Sequence, residues 1–155
     1  MFELTKHTGL ESEFELSGFV LEKTVKLMKL SFSRILLQHP EIDITVDQWV
    51  IIQLIFQNQQ LSQQELCSLA FKDAPTVTRI IDLLANKNLL LRNSDSIDRR
   101  KYNITLTEEG KEIYQKVNPI VNEFRAAAYS GIDSEELMII KKISEKIFEN
   151  LTKEK

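Results

Sequence analysis

The chain has 155 residues, 43% apolar and 28% charged, which suits a soluble globular protein able to form a core without staples. With 4 Gly and 3 Pro little of it reads as linker, and its single cysteine, Cys67, excludes an internal disulfide framework or a thiolate-rich zinc site. The net charge of −3 is unevenly spread: residues 1–70 hold 5 bases and 9 acids, 71–103 hold 7 and 4, and 104–155 hold 8 and 10. A basic centre between acidic ends is the footprint of an anionic partner, or else chance clustering. "MFELTKHTGLESEFELSG" carries acids and lacks the apolar core of a signal peptide, and no apolar run reaches a membrane span. A cytoplasmic protein away from the membrane is expected, in a reducing compartment.

Phe14, Gly18, Leu21, Val25, Met28, Phe32 and Ile35 step by 4 and 3, an apolar stripe on a helix of about seven turns. Pro40 should end it near His39. Thr45 and Gln48 form a capping-box pattern opening a second helix, with Trp49, Ile52 and Phe56 as its apolar face. Ser62 and Glu65 repeat the pattern before a short helix, "SQQELCSLA". "FKD" makes a tight connection, and Asp73 caps a further helix with Pro75 in its first turn. Val77, Ile80, Ile81 and Leu84 should be its buried stripe.

The period then changes. Leu89–Arg92 and Tyr102–Leu106 read as two short strands joined through "NSDS" turn chemistry. Thr107 caps a long helix with the stripe Ile113, Val117, Ile120, Phe124 and Ala127, in which Pro119 should cause a kink. Asp133 caps the last helix, striped by Leu137, Ile140, Ser144, Ile147 and Leu151. The striped ends have no compact domain of their own. They suit a helical clasp between two copies, or an intramolecular bundle.

A short helix, a tight turn and a longer helix make a helix-turn-helix, and the hairpin after it makes it winged. The sequence from "SQQELCSLAFKDAPTVTRIIDLLANKNLLLR" through "DSIDRRKYNITLTEEG" resembles the multiple-antibiotic-resistance-regulator (MarR) family of bacterial transcription factors. The resemblance covers nearly the whole chain in element order and is strongest from about residue 45 to 114. It implies a mainly α fold with a small β-hairpin wing, arranged as one domain over 1–155. Residues 10–39 and 108–152 would be dimerisation helices, and 45–107 a winged helix-turn-helix lobe.

The implied function is a homodimeric repressor on a pseudo-palindromic operator in double-stranded DNA, released by a small aromatic or amphiphilic effector. Each copy would lay its recognition helix in a major groove and its wing by a minor groove. Thr76, Thr78 and Arg79, near the helix start beside Pro75, can reach base edges or phosphates, and Lys72 can hold backbone. Asp98 and Arg100, two apart on a strand, share a face, so Asp98 can brace Arg100 while Arg99 points to phosphate or solvent. A narrow minor groove attracts such an arginine. An effector pocket would fall near Phe32, His39 and Trp49, although an ordinary core explains Phe32 and Trp49 as well.

Asn88 stands where family members often have Gly, and Asn tolerates the left-handed turn needed there. The reactive cysteine of peroxide-sensing members is missing from the first helix, and Cys67 reads as a small, partly buried core residue. No phosphate loop, nucleophile elbow or metal spacing appears, so neither an enzyme nor a cofactor nor a metal site is expected. The rival is a winged-helix protein-interaction module that does not bind DNA. The bases at Lys72, Arg79, Arg99 and Arg100 argue against it.

Overall fold

The structure, a computed structural model, describes residues 9–94 and 102–153. Among the described residues six helices and three strands follow one another as α1 (Gly9–Leu37), α2 (Val46–Asn58), β1 (Gln60–Ser62), α3 (Gln63–Ala70), α4 (Ala74–Asn86), β2 (Leu90–Ser94), β3 (Tyr102–Leu106), α5 (Glu108–Ala128) and α6 (Ser134–Thr152). The chain divides into two compact units, Met1–Val121 and Asn122–Lys155, with the boundary inside α5.

The first unit is built around α2. Its capping box is complete: the Gln48 N–H donates to Thr45 Oγ1 at 3.2 Å, and the Thr45 N–H donates to Gln48 Oε1 at 3.1 Å. That pairing engages the side-chain oxygen of Gln48, a buried polar residue of the core. Helices α1, α3 and α4 and strands β1 and β3 all pack on α2. Enclosure on so many sides explains why its buried residues go beyond one stripe. Trp49, Ile51, Ile52 and Ile55 are all buried, whereas Phe56, expected on the inner face, is 38% exposed. Helix α1 buries Phe32 and Leu36 near its C-terminal end, and Phe19, Val25, Leu27 and Leu30 stay exposed in the single chain.

The helix-turn-helix forms as expected. Ser62 and Glu65 close a capping box on α3, and Asp73 caps α4 by accepting the Thr76 N–H at 2.7 Å. Between them Phe71 takes a left-handed conformation (φ 49°), and the Lys72 N–H donates to the Cys67 carbonyl at 3.0 Å, closing the end of α3. Val77, Ile80, Ile81 and Leu84 are buried, and Cys67 is half-buried.

The sheet differs from the expected two-stranded hairpin. It has three antiparallel strands in the order β1-β3-β2. Gln60, Leu61 and Ser62 pair with Thr105, Ile104 and Asn103. The extra strand closes the side of β3 away from β2 and buries Leu61. Strand β2 also runs further than expected, because Asn93 and Ser94 pair with Asn103 and Tyr102. These two residues extend the ladder rather than turn the chain, and Asp95 and Ser96, the rest of the expected turn, lie outside the described residues.

The junction of α4, β2 and α5 is closely fitted. Asn88 adopts the left-handed conformation (φ 58°). Thr107 Oγ1 donates to the Asn88 carbonyl at 2.6 Å and accepts the Gly110 N–H at 2.9 Å, and the Thr107 N–H donates to the Leu89 carbonyl at 3.2 Å. Gly110 is required there, since a Cβ would sit 3.0 Å from the Leu89 carbonyl carbon and overlap its oxygen. Beyond it α5 buries Val117 and Val121, while Ile120 and Phe124 of the expected stripe are half-buried. Pro119 lies within α5, and the helix continues past it.

In the second unit Asp133 and Glu136 form a capping box at the start of α6. None of the α6 residues is buried in the single chain, and Ile140, Ile143, Ile147 and Leu151 are exposed. No described helix is long and apolar enough to cross a membrane.

Candidate nucleic-acid interface

Helix α4 presents two faces. The buried stripe that begins at Val77 fixes it on the lobe, which leaves Thr76 half-exposed and Pro75 and Arg79 exposed. Pro75 occupies the first turn, where its missing N–H costs nothing. Arg79 makes no ion pair or hydrogen bond among the described residues. The other described cations of the basic centre are held by acids. Lys87 meets Asp43 Oδ2 at 2.9 Å, Arg92 pairs with Asp82, and Lys72 meets Asp47 Oδ1 at 3.0 Å. Among the described residues Arg79 is therefore an uncommitted guanidinium on the exposed face of α4.

Thr78 is placed differently from Arg79. Its hydroxyl donates to the Ala74 carbonyl at 2.8 Å and accepts from Gln63 Nε2 at 2.6 Å. That hydroxyl ties α3 to α4. Lys72 shares Asp47 with Lys29 of α1, whose Nζ lies 3.0 Å from Oδ1 and 3.1 Å from Oδ2. Burial pushes the Asp47 carboxyl up, but the ammonium groups of Lys72 and Lys29 outweigh it and hold the carboxyl below the ordinary aspartate value. The Asp73 carboxyl is also lowered, chiefly by the hydrogen bond from the Thr76 backbone.

Asp98, Arg99 and Arg100 lie outside the described residues. The described β2–β3 register runs as far as Ser94 opposite Tyr102.

Phe32 and Trp49 are buried, and Trp49 stacks on Tyr114 with ring centroids 5.3 Å apart. His39 is half-exposed, its Nδ1 3.2 Å from Glu41 Oε1. A cleft of about 560 Å³ is lined by Ile55, Phe56, Gln59, Thr105, Leu106 and Lys111, beside Tyr114, whose ring stacks on both Phe56 and Trp49. None of Phe32, His39 and Trp49 lines it. Among the described residues no cluster of His, Cys, Asp and Glu could hold a metal ion.

Sequence reasoning did not single out Asp47, Lys29, Gln63 or Tyr114. The partners of Asp47 are 18 and 25 residues away and Gln63 is 15 from Thr78, beyond any local pattern. Asp47 does carry a local signal as an acid in the first turn of α2.

Strand β1, the helix-turn-helix and the β2–β3 hairpin together define a winged-helix lobe. The model of the MarR family matches residues 44–102. The HTH-type transcriptional regulator FarR of Neisseria gonorrhoeae is 31% identical over 99 residues, 64% of this chain and 68% of FarR. The chain belongs to the MarR family. Among solved structures, NadR in complex with 4-hydroxyphenylacetate is 26% identical, with a TM-score of 0.72 over 95% of this chain and 97% of NadR. A mutant MarR from E. coli complexed with operator DNA shares the fold at a TM-score of 0.77 and 19% identity, over 90% of this chain and 99% of that one.

Proposed function

We propose that this chain is a transcriptional repressor that binds a pseudo-palindromic operator in double-stranded DNA as a homodimer. The observation that carries the reading is Arg79, exposed on α4 and unpaired among the described residues, whereas Lys72, Lys87 and Arg92 of the same basic stretch are held by acids. Thr76 and Pro75 flank the same approach. Arg99 and Arg100 would follow the minor groove or phosphates, with Asp98 bracing Arg100. The domain is read as one MarR-type unit over 1–155, with 45–107 as the DNA-binding lobe. The exposed apolar residues of α1 and α6 support its helical ends, 10–39 and 108–152, as the dimer clasp. The family supports a cytoplasmic protein with no catalytic role.

A small aromatic or amphiphilic effector would release the DNA; that NadR is seen in complex with the aromatic acid 4-hydroxyphenylacetate supports a small-molecule site. Phe32, His39 and Trp49 are the residues proposed for its pocket.

The test is enrichment of bound fragments from random DNA, followed by titration of the enriched site and of random duplex across salt. Arg79→Ala should cost about 1–3 kcal/mol on the enriched site and narrow the gap to random DNA. Arg100→Ala should weaken both and reduce the log–log salt slope by about 0.9 for each phosphate it no longer neutralises. Absent or salt-insensitive binding would favour the protein-interaction module instead.

A further inference from the structure

Three parts of the lobe meet at Asp47. The carboxylate comes from the first turn of α2, Lys29 from α1, and Lys72 from the turn of the helix-turn-helix. Lys29 reaches both carboxylate oxygens, and Lys72 reaches Oδ1 alone. The Lys72 side chain is only 21% exposed and that of Lys29 is 57% exposed. One carboxylate thus serves two cations. One of them adjoins Asp73, the cap of α4, and is drawn inward.

A DNA phosphate approaching this turn would compete with Asp47 for the Lys72 ammonium. Breaking a half-buried ion pair is costly when it leaves a charge unpaired. Here it does not, because Lys29 keeps both Asp47 oxygens occupied after Lys72 departs. Without Lys29, Lys72 would be the remaining partner of Asp47 and would be held more tightly.

We propose that Asp47 is a positioning residue for DNA affinity: it holds the Lys72 ammonium inward, and Lys29 of α1 sets how readily Lys72 is given up to a backbone phosphate. The proposal rests on the DNA-binding reading and adds a device to it. Sequence-independent affinity of the helix-turn-helix turn is adjusted from α1, through the carboxylate that Lys29 and Lys72 share.

The experiment is fluorescence anisotropy of the full chain with a labelled random duplex of about 30 bp over a range of KCl. Asp47→Asn should bind more tightly and steepen the salt slope by about 0.9, or about twice that if both subunits engage. Adding Lys72→Met to Asp47→Asn should abolish the gain. Lys29→Met should weaken binding several-fold in the wild-type background and leave it unchanged in Asp47→Asn. Simple loss of an acid near DNA would also raise affinity, but Lys29→Met would then cost the same in both backgrounds. Such additivity, or an unchanged slope in Asp47→Asn, overturns the proposal while leaving DNA binding intact. If Asp47→Asn does not fold, the Lys29 and Lys72 substitutions carry the same test. Lys72→Met must cost less affinity when residue 29 is already Met, and equal costs overturn the proposal. A wild-type chain without salt-dependent binding overturns the DNA-binding reading and this proposal with it.

Discussion

Gly110→Ala should be among the most damaging single-methyl changes in this lobe. The added Cβ would overlap the Leu89 carbonyl oxygen, lie 3.0 Å from its carbon and approach Leu106 Cβ at 3.3 Å. The first two are backbone atoms, so no side chain can swing aside. Either the start of α5 lifts or the α4–β2 turn recedes. Overpacking of this kind costs about 1–3 kcal/mol. A shift also strains the hydrogen bonds of Thr107 to Asn88 and of the Thr107 N–H to Leu89, each worth about 1 kcal/mol. Alanine returns about 0.5–1 kcal/mol through its better helix propensity. The net expectation is about 2–4 kcal/mol of destabilisation. At roughly 2–4 °C per kcal/mol for a chain of this size, Tm should fall by about 5–15 °C. Glu109→Ala, exposed in the same turn, is the control and should cost no more than about 1 kcal/mol, the helix-dipole contribution. Thermal and urea unfolding of the two variants measure the difference. If Gly110→Ala unfolds within about 0.5 kcal/mol of wild type, the junction is not rigid and the overlap is relieved by easy movement of α5.

Thr107→Val removes the hydroxyl that bridges Asn88 and Gly110 at nearly constant shape, and urea unfolding should show a loss of about 1–2 kcal/mol. Ile147→Asp places a charge on the exposed stripe of α6, so sedimentation should find the wild type dimeric and the variant monomeric or unfolded. Five base pairs inserted between half-sites should rotate them to opposite faces of the duplex and abolish tight binding in the same titration. The carboxyls of Asp47, Glu65 and Asp73 are all lowered in the folded chain. Their stabilisation is full above the ordinary values of 3.8 for Asp and 4.5 for Glu, and is lost as pH falls through the lowered values. Melting temperature should therefore drop on acidification below about pH 4, and Asp47→Asn should remove part of that dependence.

Much of the lobe is written in short-range chemistry. Thr45, Ser62, Asp73 and Asp133 mark helix starts because a cap bonds an N–H only three residues on, so the signal lies within one turn of sequence. The buried face of α4 follows from a 3.6-residue period, and Asn88 could be assigned its left-handed turn because its side chain tolerates that backbone. The family resemblance rested on the same central residues, and the lobe it implied is the one that forms.

What stayed hidden depends on distant partners. Strand β1 is three residues long, too short for an alternation to register, and exists because β3 offers it a free edge more than 40 residues later. The capping pattern placed Asp73 but could not show that the Thr78 hydroxyl is spent on Gln63, or that Lys72 is held by Asp47. Sequence alone therefore left Thr78 and Arg79 both able to reach base edges or phosphates and Lys72 able to hold DNA backbone, with all three groups free to do so. Tertiary packing separated them, because a hydrogen bond or an ion pair consumes a group wherever the fold brings a partner within about 3 Å, at any separation along the chain. The enclosure of α2 has the same origin: its periodicity described one face, and how many sides are buried was decided by the helices and strands that pack around it.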